Sequence, residues 1–235
     1  MTLSQRLSRF SEILLDFFFP RYCVGCGSVG DFFCAECLRK LPRIQSFVCP
    51  RCGEPQSSGI LCSSCWGRQT EIDGIRFPFR FDGIVRQAIH ELKYRNLKAI
   101  CPSLAQLLAD YLQLNPLPAD ILVSVPLHPR RLRERGYNQS SLLAQELSRI
   151  IHLPVNDNSL IRVKDAPPQV RTASAEERRR NVDGAFVCRD QKLEGECVLL
   201  IDDVCTSGAT LEACAHAAKD GGAVSVWGLT IAKEI

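Results

Sequence analysis

What this 235-residue chain lacks narrows it first. No apolar run approaches the roughly 20 residues of a membrane-spanning helix. The apolar stretch at residues 13–19 is short, is broken by Asp16 and is followed by no small-residue cleavage site, so no signal peptide is expected. A Gly-x4-Gly-Lys-Ser/Thr loop is missing, which removes the phosphate-loop NTPases. Charge of one sign is also scarce: 29 Lys and Arg against 26 Asp and Glu leave +3, weak ground for a polyanionic partner. The excess lies in residues 1–70, with eight basic and five acidic side chains, and the remainder balances.

What is present in excess is cysteine, thirteen residues. In a secreted chain that would suggest a disulfide scaffold. Without a leader the chain is expected to be cytoplasmic and reduced, so the cysteines need another role. Ahead of them, residues 1–20 read as an amphipathic helix with Leu3, Leu7, Phe10, Leu14, Phe17 and Phe18 largely on one face. That stripe is expected to pack on the protein itself, with a membrane or partner surface as the alternative.

Eight cysteines form four Cys-x2-Cys pairs: Cys23/Cys26, Cys34/Cys37, Cys49/Cys52 and Cys62/Cys65. A tetrahedral zinc site needs four thiolates at about 2.3 Å, and one such turn supplies two of them. Gly27 and Gly53 follow the second cysteine of their knuckles, where a tight turn favours glycine. Residues 21–70 are therefore expected to hold two structural Zn2+ ions, with redox dithiols as the runner-up. Short internal loops favour sequential over interleaved pairing of the knuckles. All eight positions are filled, which leaves no open coordination site for catalysis. Phe32, Phe33, Arg39, Lys40, Arg51, Trp66 and Arg68 lie between the knuckles and either contact single-stranded nucleic acid or form the module's small core and a solvated face. Cys101, Cys188, Cys197, Cys205 and Cys214 have no ligand spacing and read as apolar packers, with an exposed, oxidisable Cys205 as a lesser reading.

From about residue 71 strands and helices alternate, which predicts an α/β domain with a mostly parallel sheet over 71–235. Strands are expected at residues 75–81, 121–127, 160–163, 197–201 and 223–231. Helices are expected after Asp82 and Pro102, over 139–151 and 209–220, with a short polar one at 174–181. Pro167 and Pro168 mark a loop ahead of the basic run Arg178–Arg180.

The densest chemistry is VLLIDDVCTSGAT at residues 198–210. A buried strand would deliver Asp202 and Asp203 to the carboxyl edge of the sheet, where open α/β sheets bind ligands. The two carboxylates can accept hydrogen bonds from sugar hydroxyls. Thr206, Ser207 and Thr210 offer hydroxyls, and the helix N-terminus beginning at Ala209 offers partial positive charge, to a phosphate. Gly208 permits close backbone approach. This stretch resembles the ribose-phosphate signature of type I phosphoribosyltransferases, in which the acids take the ribose hydroxyls and the loop cradles the 5′-phosphate. After the 121–127 strand come Arg130, Arg131, Arg133 and Arg135, guanidinium groups suited to diphosphate oxygens. That loop matches the place where those transferases hold pyrophosphate. His128 beside it reads as a phosphate contact or a structural hydrogen-bonder.

Together, FFFPRYCVGCG, CPRCG, ELKYR, VPLHPRRLRERGYNQ, ERRRNVDGAF and VLLIDDVCTSGAT resemble the ComF family of bacterial competence proteins over nearly the whole chain. The resemblance implies a phosphoribosyltransferase-like domain of type I fold behind a double zinc ribbon. It implies that Asp202, Asp203, Thr206, Ser207, Gly208, Ala209 and Thr210 bind a phosphoribosyl compound with Mg2+. It further implies a cytosolic part in natural transformation, in which single-stranded DNA is passed to competence or recombination proteins. A working phosphoribosyltransferase, and a non-catalytic scaffold that docks partners through its ribbons, are the alternatives.

Overall fold

A computed structural model describes residues 20–164 and 182–235. The expected helices at 1–20 and 174–181, the loop at Pro167 and Pro168, and the run Arg178–Arg180 lie outside the described residues, apart from Pro20. Two knuckle ribbons come first, carrying the short helix α1 (Ala35–Arg39) and the antiparallel pair β1 (Phe47–Val48) and β2 (Pro55–Gln56). A six-stranded sheet follows, built from β3 (Gly74–Arg76), β4 (Phe79–Arg80), β5 (Ile121–Ser124), β6 (Val155–Asn156), β9 (Cys197–Cys205) and β10 (Ser225–Lys233). Its order is β3–β10–β9–β5–β6, with β4 also on β10, and every pairing is parallel.

Both faces are covered, as parallel sheets require. On one face lie α2 (Gly83–Tyr94), α3 (Cys101–Leu114) and α5 (Gln139–Ile151), packed on Leu122, Leu199, Ile201, Leu229 and Ile231. On the other lies α6 (Ala209–Asp220), packed on Val123, Val198, Leu200 and Val226. There it joins the antiparallel pair β7 (Leu160–Arg162) and β8 (Phe186–Cys188). In α2, Asp82 accepts the Gly83 N–H at 2.7 Å and starts the helix. Its buried Val85, Ala88, Ile89 and Leu92 recur at helical spacing, the Val, Ile and Leu side chains each worth about 1.5–3 kcal/mol of burial. Among the described residues no helix is long and apolar enough to cross a membrane.

Several sequence expectations change. The strand expected at 75–81 is two, because Pro78 has no N–H to give the ladder and Phe77 turns into the core. The strand at 121–127 ends at Ser124. The 197–201 strand continues to Cys205, held by β10 through Asp202 opposite Thr230 and Val204 opposite Ala232. Leu160–Arg162 is a strand but lies off the parallel sheet, on β8. The arginine loop is a helix, α4 (Pro129–Arg135), ended by the left-handed Gly136.

The ribbons dock differently. Val24, Phe32, Phe33 and Leu41 of the first enter the main hydrophobic core. The second attaches along the sheet edge: Ile75 N–H donates to the Arg51 carbonyl at 2.7 Å and Arg76 to that of Pro50 at 2.9 Å. Lys233 reaches the Cys52 carbonyl at 3.3 Å and the Glu54 carboxylate at 2.6 Å.

Candidate functional site

The chain leaves β5 through α5 toward β6 and leaves β9 through α6, on the opposite face, toward β10. Beyond the carboxyl ends of β5 and β9 the connections therefore diverge. That is the switch point where open α/β sheets form a ligand crevice. Asp202 and Asp203 stand on this rim.

Their surroundings differ. Asp203 is 2 % exposed and pairs with Lys93 of α2, Nζ to Oδ1 at 2.8 Å. Its second oxygen, Oδ2, is buried with no hydrogen-bond partner among the described residues. Asp202 is half-buried and accepts from the Ser140 hydroxyl at 2.7 Å and from the Asp203 N–H at 2.9 Å. Burial first, and the neighbouring Asp203 carboxylate second, push Asp202 up to about 7, against the pull of the Ser140 hydroxyl. Burial works against the Lys93 charge, but the Asp203 carboxylate outweighs it and holds that ammonium above its ordinary range.

Asn138 explains why Ser140 arrives there. Its side-chain oxygen caps α5 by accepting the Ser140 N–H at 3.0 Å, while its Nδ2 donates to the Val125 carbonyl at 3.0 Å. The end of β5 thus fixes the start of α5. Lys93 and Ser140 were missed by sequence reasoning. Lys93 sits in the ELKYR stretch, but nothing in the chain marks Ser140.

The loop after β9 brings Thr206, Ser207 and Thr210 to the same rim, half-buried, with Ala209 buried at the start of α6. Gly208 is left-handed (φ 77°), and a Cβ there would stand 3.0 Å from Ile75 Cδ1. Cys205 is buried and its thiol is raised to about 12 by that burial, so the exposed, oxidisable reading is corrected. Of the arginines on α4, Arg131 and Arg135 line a cleft of about 710 Å³ with Lys93, Tyr94 and Tyr137. Arg130 and Arg133 are exposed, Arg130 paired with Glu134 at 3.0 Å. His128 caps α4, accepting the Arg130 N–H at 3.3 Å.

The cysteines gather in sequential sets, Cys23, Cys26, Cys34 and Cys37, then Cys49, Cys52, Cys62 and Cys65, each with its sulfurs within 4.8 Å of one another. A tetrahedron of Zn–S bonds needs sulfurs about 3.8 Å apart. The Cys26–Cys34 and Cys52–Cys62 separations of 3.7 and 3.6 Å fit it. The N–H groups of Cys34 and Cys62 donate to the sulfurs of Cys23 and Cys49 at 3.4 Å, as expected around thiolates. Eight thiolate donors in two closed sets suit structural Zn2+. Phe32 and Phe33 are 7 % and 6 % exposed, so they are core residues and offer no ring to a nucleobase. Arg51 donates to the carbonyls of Cys65 and Arg68, and Lys40 pairs with Glu36. Trp66 alone of those aromatics is open, at 75 %.

A double zinc ribbon family model matches residues 14–67. The competence protein ComFC of Bacillus subtilis is 30 % identical over 206 residues, covering 84 % of this chain and 82 % of that protein. The DNA utilization protein YhgH of Escherichia coli K12 is 33 % identical over 209 residues, covering 83 % and 88 %. Competence protein F of Haemophilus influenzae is 32 % identical over 230 residues, covering 90 % and 97 %. Among solved structures, glutamine phosphoribosylpyrophosphate amidotransferase from B. subtilis aligns with 56 % of this chain at 19 % identity and a TM-score of 0.38; the aligned part spans about a quarter (26 %) of that chain. With relatives at 30–33 % identity over more than four-fifths of its length, and a double zinc ribbon ahead of a parallel sheet, the chain belongs to the ComF family.

Proposed function

We propose that this protein acts in the cytosol in the use of external DNA, that it binds a phosphoribosyl compound of the phosphoribosyl pyrophosphate type at the β5–β9 rim, and that it handles single-stranded DNA. The names of its relatives support the first part. The observation that carries the second is the acid pair: a buried Asp203 oxygen without a partner among the described residues and an Asp202 carboxyl whose pKa is raised to about 7, side by side at a switch point. Two hydroxyl donors from a ribose would satisfy both. Thr206, Ser207, Gly208, Ala209 and Thr210 would receive the 5′-phosphate at the start of α6, and Arg131 the diphosphate. The acid pair with its orphan oxygen also suits Mg2+ arriving with the ligand, where the ion would neutralise diphosphate charge. Lys93 and Ser140 orient the two carboxylates.

Calorimetric titration with phosphoribosyl pyrophosphate and Mg2+ tests this. Wild type should bind, and Asp202→Asn with Asp203→Asn should not, with melting curves to show that the variant folds. Silent heats for a folded wild type would overturn the ligand reading. Lys93 and Arg131 on one cleft also favour a second reading, a transferase that stabilises departing pyrophosphate. Pyrophosphate release across a panel of amine and nucleobase acceptors distinguishes it from binding alone.

A further inference from the structure

We infer that single-stranded DNA crosses this molecule at the cleft between the end of α2 and α4, with a base stacked on Tyr94 and phosphates over Arg131 and Lys98. The inference rests on the DNA-handling reading and gives it a location, away from the ribbons. Non-sequence-specific strand binding needs an aromatic platform beside a cationic track. On the ribbons Phe32 and Phe33 are buried, Arg51 and Lys40 are occupied within the module, and the open Trp66 ring has, among the described residues, no cation over it.

The cleft supplies both. Tyr94 is 68 % exposed, although it is the last residue of a helix whose other face is core. The guanidinium of Arg135 lies 5.9 Å from its ring centre and His90 tilts against it at 4.7 Å, so the ring is held in place while most of its surface stays open. Asn96, left-handed at φ 57°, turns the chain out of α2. Lys98 then comes back over Tyr137, its ammonium 4.4 Å from that ring centre. The Tyr137 hydroxyl donates to the Leu92 carbonyl, which pins this wall to α2.

The charge balance favours a polyanion. Four carboxylates are near, and each is engaged: Glu91 with Arg95 at 3.6 Å, Glu134 with Arg130 at 3.0 Å, Asp203 with Lys93 at 2.8 Å, and Asp202 with the Ser140 hydroxyl at 2.7 Å. Lys98, Arg131 and Arg133 have no carboxylate in salt-bridge range among the described residues. A phosphodiester chain supplies that charge and bases for the ring. An acidic peptide supplies only the charge.

Fluorescence anisotropy with labelled dT20 and the full chain, from low to moderate salt, tests the assignment. Wild type should bind, more weakly as salt rises. Tyr94→Ala should lose about tenfold in affinity while Tyr94→Phe keeps it. Arg131→Ala should lower the slope of log affinity against log salt by about one. Trp66→Ala, on the ribbon, should leave binding unchanged. Wild-type binding that survives both Tyr94→Ala and Arg131→Ala would overturn the location and leave the DNA-handling reading standing. No wild-type binding even at low salt would remove that reading and the inference with it. Tighter binding of rU20 than dT20, or equal competition by poly-glutamate, would overturn single-stranded DNA as the occupant.

Discussion

The two ribbons share a ligand set, a knuckle turn and nearly the same spacing, yet they are joined to the α/β domain by different physics. The first inserts side chains: Val24, Phe32, Phe33 and Leu41 complete the core under α2. The second contributes mostly backbone, lending the carbonyls of Pro50, Arg51 and Cys52 to Arg76, Ile75 and Lys233. Identical metal chemistry thus fixes two modules, and what differs is whether the surroundings depend on apolar burial or on hydrogen bonds. Burial of two phenylalanines outweighs a few edge hydrogen bonds at about 1 kcal/mol net each.

The comparison meets its hardest test at the metals. Cys34→Ser should release one zinc and lower the melting temperature of the whole chain, because the core loses its Phe32 and Phe33 wall. Cys62→Ser should release the other zinc with a smaller loss. Zinc content and melting curves read both, and equal losses would break the distinction. Next, Phe33→Ala should cost about 3–5 kcal/mol in denaturant unfolding. Phe47→Ala in the second ribbon, where that ring is 67 % exposed, should stay within about 0.5 kcal/mol.

The paired glycines sharpen the contrast further. Gly27 and Gly53 occupy the same knuckle position with φ of 77° and 70°, but a Cβ on Gly27 meets nothing within 4 Å, while one on Gly53 would stand 2.6 Å from the Ile75 carbonyl oxygen. Gly27→Ala should cost only the left-handed strain, about 1–2 kcal/mol. Gly53→Ala should cost more and loosen the second ribbon, read by limited proteolysis.

A further effect lies off both ribbons. Asp202 is raised from 3.8 to about 7, so between those values the native state holds a proton that the unfolded chain has released. Stability then falls as pH rises through that window. Asp202→Asn should flatten this slope, raising the melting temperature by a few degrees above pH 7 and changing it little at pH 4, as melts across that range would show.

Legibility in the sequence followed locality. The limits of Gln139–Ile151 could be read because Asn138 is a cap and the apolar residues recur at helical spacing. The knuckles and the apolar strand that carries two acids were legible because each is a contiguous pattern. α4 was not, since PRRLRER buries no side chain and so shows no apolar period. β6 and β8 are two and three residues long, too short for alternation to register. The partners of the acids were hidden for another reason: Ser140 is 62 residues from Asp202 in sequence, and only the docking of α5 on β5 brings them together.

The strand β10 has one more consequence, for the order of assembly. Among the described residues β3 and β4 pair with no other strand than β10, apart from one bridge between Phe79 and Arg43, and Glu54 meets its lysine 179 residues downstream. On the ribosome, the knuckles are therefore made long before the surface that receives them exists. A clasp that closes locally, metal by metal, lets the early segment hold its shape through that interval until the final strand emerges.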